Sequence, residues 1–193
     1  RLGRYDEYLF VLKKIEKIKP NNQYEESMRF HRLMINRQVY FLNKGLIDEV
    51  CNLSSAIEKG IKNYKLNEGV QIVLIFNVIV AFFVSKKYKE CIRWVELYNS
   101  FKKMKISKIQ IQFAQVLKVI AFYELEDLDE LEKNIKLTEK YFDNDLNLSR
   151  HALDYIVLRS IKRMGKVVAK EQAKIIKELR ASLDALPLKM KRR

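Results

Sequence analysis

Apolar and polar residues alternate along this chain with the spacing of amphipathic helices. In the most apolar stretch, Val70 to Val84, only Gln71 and Asn77 are polar, which predicts a helix covered by neighbours on every side. The stretch is shorter than the about 20 apolar residues that a membrane span needs, so we expect no span. The amphipathic segment after it predicts a second helix, and the two predict the central hairpin of an all-α protein.

The full pattern predicts about nine helices and no sheet. We place them near residues 4–19, 23–43, 47–64, 70–85, 87–103, 107–124, 128–142, 147–164 and 166–185. Pro20 ends the first helix because proline cannot continue the hydrogen-bond ladder. Ser107 is a predicted N-cap, and residues 143–145 are a predicted loop.

The turns between helices recur at a nearly constant interval. They fall near residues 3, 45, 86, 126 and 165, spaced 42, 41, 40 and 39 residues apart, and the last is the weakest copy. The usual pattern is a small or polar pair followed by an apolar residue and two polar residues, as in Lys86-Lys87-Tyr88-Lys89-Glu90. Such a period is typical of stacked antiparallel hairpins. We therefore predict one helical-repeat domain over 1–185, followed by a basic tail at 186–193.

Three segments carry a family resemblance. Ile75-Phe76-Asn77 and Ala81-Phe82-Phe83, followed by Tyr88-Lys89-Glu90-Cys91, resemble tetratricopeptide repeats. Val119 to Tyr123 leading into Leu128 to Leu131 is a second match, and Asn36 with Tyr40-Phe41 is a third; together the matches cover about residues 23–142. The family period is about 34 residues, so each hairpin here carries extra turns. The resemblance implies a right-handed superhelix whose first helices line a concave groove, and a binding scaffold rather than an enzyme.

The resemblance also implies which residues face that groove. They are Ile35, Val39, Phe76, Val80, Phe83, Val116, Ile120 and Tyr123. A groove this apolar suits an amphipathic helix or an extended apolar peptide, and it lacks the Lys/Asn clamp that some family members use for a terminal carboxylate. Tighter curvature could equally bury these residues. Both interpretations remain open at this point.

Cations are concentrated at the end of the chain. Lys and Arg number 38 against 24 acids, a formal net charge of +14, and residues 159–193 alone hold twelve bases and three acids. Lys166, Lys170, Lys174, Lys177 and Arg180 have the spacing of one helical face. The face is either a solvated cap on the last repeat or a contact surface for an acidic protein or a phosphate backbone. Weak, sequence-independent polyanion binding is the expectation.

The sequence contains no motif of enzyme chemistry. Phosphate-binding loops, HExxH, GxSxG and recognisable carboxylate pairs are absent, so we expect no catalytic residue, metal or cofactor. Cys51 and Cys91 lack CxxC spacing and are predicted core residues of a reducing, cytoplasmic compartment.

The leading hypothesis is a non-enzymatic scaffold that binds a protein or peptide segment in its groove. The alternative is the sensor or scaffold region of a nucleic-acid-associated regulator whose DNA-reading domain lies before Arg1.

Overall fold

The structure, a computed structural model, describes residues 5–101, 108–143 and 148–186, with side chains described for 7–101, 109–142 and 153–186. Within these ranges the chain forms ten α-helices and no β-strand. They are α1 (Tyr5–Lys17), α2 (Gln23–Asn43), α3 (Ile47–Asn52), α4 (Ser54–Asn63), α5 (Glu68–Val84), α6 (Tyr88–Ser100), α7 (Lys108–Glu124), α8 (Leu128–Asp143), α9 (Leu148–Met164) and α10 (Ala169–Asp184). The all-α prediction is confirmed.

Two predicted helices differ from the observed ones. The helix expected over 47–64 is interrupted at Leu53, whose N–H is shared between the carbonyls of Glu49 and Val50 at 3.2 Å each. Such sharing marks a local tightening toward a 3₁₀ turn, and it divides the helix into α3 and α4. The last helix begins at Ala169 instead of residue 166. The predicted turn at Gly3, the Ser107 cap, Asn144-Asp145 of the loop and residues 187–193 of the tail lie outside the described residues.

Contacts divide the chain into two compact units, unit 1 (Arg1–Ile106) and unit 2 (Ser107–Arg193). The prediction of one domain over 1–185 therefore stays a prediction. In unit 1, α1 packs on α2, and α3 packs on both α2 and α5. In unit 2, α8 packs on both α7 and α9, which also touch each other, and α10 packs on α9. In each unit, then, the second helix of a hairpin contacts the first helix of its own hairpin and the first helix of the next one. The second helix is α3 in unit 1 and α8 in unit 2.

Helix α5 is the centre of unit 1. It packs against α2, α3, α4 and α6, and Ile75, Val78 and Ile79 have no exposed surface. The prediction of a buried central helix holds for this part of its circumference. The prediction that neighbours cover the helix on every side is wrong, because Val73 and Val84 are 40% and 55% exposed. One face of a largely apolar helix is thus left accessible.

Three of the described turns share one conformation. The residue after the helix has a positive φ, +70° at Gly45 and +57° at both Lys86 and Glu126. In each, the next N–H bonds to a phenylalanine carbonyl five residues earlier, closing a Schellman motif: Leu46 to Phe41 at 2.9 Å, Lys87 to Phe82 at 2.9 Å and Asp127 to Phe122 at 3.1 Å. The recurrence predicted from the spacing is therefore present in the backbone itself.

The turn at Gly165 does not follow this pattern. Its N–H continues the helix by bonding the Ile161 carbonyl at 2.9 Å, and Lys166 bonds Arg163 at 3.1 Å. Among the described glycines, a positive φ is found at Gly45 and not at Gly165. The weakest predicted copy of the turn is therefore a different turn, which explains why α10 begins later than expected.

Candidate functional site

The predicted groove residues of unit 1 lie on two helices that touch. Ile35 and Val39 belong to α2, and Phe76, Val80 and Phe83 belong to α5. Val39 is 38% exposed, and the other four are partly buried. Equivalent positions are 41 residues apart, so Ile35 matches Phe76 and Val39 matches Val80 in the repeat. The structure thus brings five of the eight predicted groove residues onto one pair of helices, partly accessible to solvent.

A buried polar contact fixes these two helices to each other. Gln38, which has no exposed surface, donates through Nε2 to the Leu74 carbonyl at 3.0 Å, and Asn77 Nδ2 donates to Gln38 Oε1 at 3.0 Å. Breaking either bond would leave a buried polar group unsatisfied, at a cost of about 1–3 kcal/mol. Gln38 and Asn77 therefore set the spacing between α2 and α5 beside the exposed apolar face.

The two aromatic residues of this face already have packing partners. Phe76 packs on the Tyr98 ring with centroids 6.1 Å apart, and Phe83 meets Tyr88 edge to face at 5.9 Å. Burial raises the pKa of Tyr98 to about 12. Packing thus holds both aromatic rings in place. The valines of this face, Val39 above all, are better placed than the rings to contact a ligand.

The remaining three predicted groove residues lie on α7 in unit 2. Val116 is 4% exposed, so it is a core residue and offers no surface to a ligand. Ile120 and Tyr123 are partly buried. Burial, and then the neighbouring carboxylates of Glu124 and Glu126, raise the pKa of Tyr123. The sequence could not separate Val116 from its neighbours because all three positions share the same repeat register.

The predicted basic face is only partly a helical face. Lys170, Lys174, Lys177 and Arg180 are exposed on α10, as expected. Lys166, however, lies in the turn that precedes the helix, because α10 begins at Ala169. The turn places Lys166 beside α9 instead of along α10.

Two neighbouring clefts in unit 2 bring Lys166 and Lys174 of the predicted face together with three cations that the sequence did not single out, Arg159, Lys162 and Arg163. The α8–α9 cleft, of about 460 Å³, is lined by Tyr155, Leu158, Arg159, Lys162, Arg163 and Lys166, with Glu139 on its α8 side. The α9–α10 cleft, of about 420 Å³, is lined by Arg163, Lys166, Val167, Glu171, Lys174 and Ile175. Arg159, Arg163 and Lys166 have the i, i+4, i+7 spacing of one helical face, which is the sequence signal for this stripe.

Two of the cleft cations are held by carboxylates of adjoining helices. Lys162 Nζ donates to Glu139 Oε1 at 2.6 Å, and Arg163 Nη1 forms an ion pair with Glu178 Oε2 at 2.8 Å. Arg159, Lys166 and Lys174 have no carboxylate within 4 Å in the part of the chain that the structure describes. The clefts therefore combine paired cations with cations that have no carboxylate at ion-pair distance. The hydrogen bond from Lys136 chiefly lowers the pKa of Glu132, and Lys166 adds to this effect at longer range.

Neither a metal site nor a membrane span emerges from the described residues. No group of three or more His, Cys, Asp or Glu residues there could hold a metal ion, and none of these helices is both long and apolar enough to cross a bilayer. Cys51 and Cys91 are buried free thiols, as predicted. No protein-family model, curated protein or solved structure matches this chain.

Proposed function

We propose that the chain is a non-enzymatic helical-repeat scaffold that binds a peptide segment of a partner protein on the apolar face of α2 and α5. The observation that carries the proposal is an accessible apolar face on two first helices that are locked together by buried hydrogen bonds. Val39 and Val73 are 38% and 40% exposed there, and Gln38 joins the helices. A preformed apolar surface of this kind favours a helical or extended peptide with apolar side chains.

Two features support a repeat scaffold similar to tetratricopeptide repeats. The Schellman turns at Gly45, Lys86 and Glu126 recur at the interval seen in the sequence. The pairing of one second helix with two first helices occurs in unit 1 and again in unit 2. Stacked units of this kind form right-handed superhelices with a concave face in the family that the chain resembles. That shape is part of the proposal.

The proposal is tested by the affinity of a net-neutral peptide with leucines on one helical face. A peptide of the same composition, with its leucines scattered, is the matched ligand control. Val39→Asp places a carboxylate on the exposed apolar face and removes apolar contact area, so we expect binding to weaken about tenfold or more.

The protein control is Val11→Asp, because Val11 is also an exposed valine, at 51%, but lies on α1. Calorimetric titration of the three proteins gives the comparison. Equal affinity for the ordered and the scattered peptide, or equal weakening by the two variants, would contradict the proposed function.

A further inference from the structure

The two clefts of unit 2 form one continuous cationic region. Arg163 and Lys166 line both clefts, so these two residues form the wall between them. Arg159 extends the region along α9, and Lys174 extends it onto α10. We call these four residues the basic surface. It is made by two packed helices and the turn that joins them, so its shape is set by the fold of unit 2.

The basic surface holds excess positive charge on four exposed side chains. Glu178 satisfies Arg163, whereas Arg159, Lys166 and Lys174 have no carboxylate within 4 Å among the described residues. Like charges gathered at one surface repel one another, and salt only partly screens charges closer together than the Debye length of about 8 Å. An anionic group placed among these cations would gain both attraction and relief of that repulsion.

The lining also discriminates between kinds of anionic partner. Tyr155, which is 37% exposed, and the partly buried Val167 give the two clefts accessible apolar surface, and carboxylates of Glu139 and Glu171 interrupt the cations. A polynucleotide carries a phosphate at every step, so some of its phosphates would face these carboxylates. A peptide can present Asp or Glu to the cations and an apolar or neutral side chain elsewhere.

We infer that the basic surface binds an acidic peptide segment whose Asp or Glu residues alternate with apolar ones. The site lies within unit 2, and its cations are not among the residues of the apolar face on α2 and α5. It is therefore a second contact surface, beyond the proposed function, and it can be tested whether or not that face binds a ligand.

The test uses a short fluorescein-labelled peptide in which Glu and Leu are separated by Gly, with a matched peptide that has Gln in place of every Glu. Binding is measured by fluorescence anisotropy at about 150 mM salt, where exposed charges more than about 8 Å apart are largely screened. We expect the Glu peptide to bind about tenfold more tightly than the Gln peptide. A double variant, Arg159→Gln with Lys166→Gln, is expected to bind the Glu peptide about tenfold more weakly than the parent does. That loss corresponds to the combined free energy of two modest ion pairs.

The matched control is Lys13→Gln with Lys17→Gln. It changes the net charge equally, but at exposed lysines of α1 in unit 1. We expect this control to keep the parent affinity. Equal binding of the two peptides would mean that the Glu carboxylates contribute nothing to binding, and an equal loss in the two double variants would mean that net charge alone attracts the probe. Either result would overturn the inference.

Mixed-sequence duplex DNA is the competing probe. Its affinity falls with salt at a logarithmic slope of about −0.9 for each phosphate neutralised, so we expect its binding to be lost at about 150 mM salt. Duplex that displaces the Glu peptide at this salt concentration would overturn the inference and assign the surface to a phosphate backbone.

Discussion

Two valines on α5 provide the sharpest test of how this helix is packed. Val78 has no exposed surface, whereas Val80, two residues later, is partly buried on the apolar face. We compare Val78→Asp with Val80→Asp, which make the same chemical change on the same helix. Because only the surroundings differ, the difference between the two losses of stability measures the burial of each position.

The expected loss at Val78 is large. Removing a buried valine costs about 2 kcal/mol in lost apolar burial. A buried carboxyl group without a partner costs about 2 kcal/mol more. Ionisation adds a further cost: if burial raises the carboxyl pKa by about three, the penalty at pH 7 grows by about 4 kcal/mol. The sum is about 4 kcal/mol near pH 4 and about 8 kcal/mol at pH 7, against a total stability of about 5–15 kcal/mol for a typical domain.

The sign of the pH dependence follows from the direction of the pKa. A folded-state pKa above the unfolded value of about 3.9 means that stability is retained below that pH and lost as the pH rises through the folded pKa. Val78→Asp is therefore expected to be more damaging at pH 7 than at pH 4.5. At Val80 the carboxylate reaches solvent, so we expect a loss of about 1 kcal/mol at both pH values.

Urea unfolding followed by circular dichroism, at pH 4.5 and pH 7, gives the free energies of unfolding. The parent protein at each pH is the reference. Similar losses for the two variants at pH 7, or a Val78→Asp variant whose loss does not grow with pH, would refute the packing of α5 described above.

Three further predictions concern close packing, turns and a thiol. Gly60→Ala is expected to cost about 1–3 kcal/mol, because its Cβ would lie 2.0 Å from the Phe30 ring, and Phe30→Leu in the same protein should recover part of the loss. Lys86→Gly is expected to stabilise by about 1 kcal/mol, because Lys86 has a φ of +57°, and Gly45→Ala to destabilise by a similar amount. Cys91, whose pKa burial raises to about 12, is expected to resist iodoacetamide at pH 8 until urea unfolds the protein.

Each of the three has its own contradicting result. A Gly60→Ala variant as stable as the parent would mean that the Phe30 ring can move aside without cost. Loss of stability in Lys86→Gly would mean that the lysine side chain contributes more than the strained backbone costs. Rapid alkylation of Cys91 in native buffer, measured by mass spectrometry, would show that the thiol is accessible in the folded protein.

The sequence predicted the all-α class, most helices and the recurring turns because these depend on local pattern. The recurrence of aromatic residues before Gly45, Lys86 and Glu126 corresponds to the Schellman turns, in which Phe41, Phe82 and Phe122 supply the acceptor carbonyls. The break at Leu53 was missed because it depends on how one N–H is shared between two carbonyls. Sharing of that kind is a matter of backbone geometry, and residue type does not specify it.

The candidate sites were harder to predict because they depend on which helices meet. Val116 and Val80 are both valines at groove positions, yet the neighbours of Val116 bury it. Arg159 and Arg163 could not be assigned to a site from the sequence, because the turn after α9 brings Lys166 beside them. Periodicity along one helix identifies a face, but it does not identify the element that covers that face or extends it.

The central claim is that the apolar face of α2 and α5 binds a peptide, and methyl NMR tests it most directly. The protein, labelled at Ile and Val methyl groups, is titrated with the net-neutral peptide that carries leucines on one helical face. The account predicts shifts at Ile35, Val39 and Val80, and little change at Val78 and Ile79, which have no exposed surface. Saturating peptide that leaves Val39 and Val80 unshifted, or that shifts methyl groups only elsewhere in the chain, would contradict the claim.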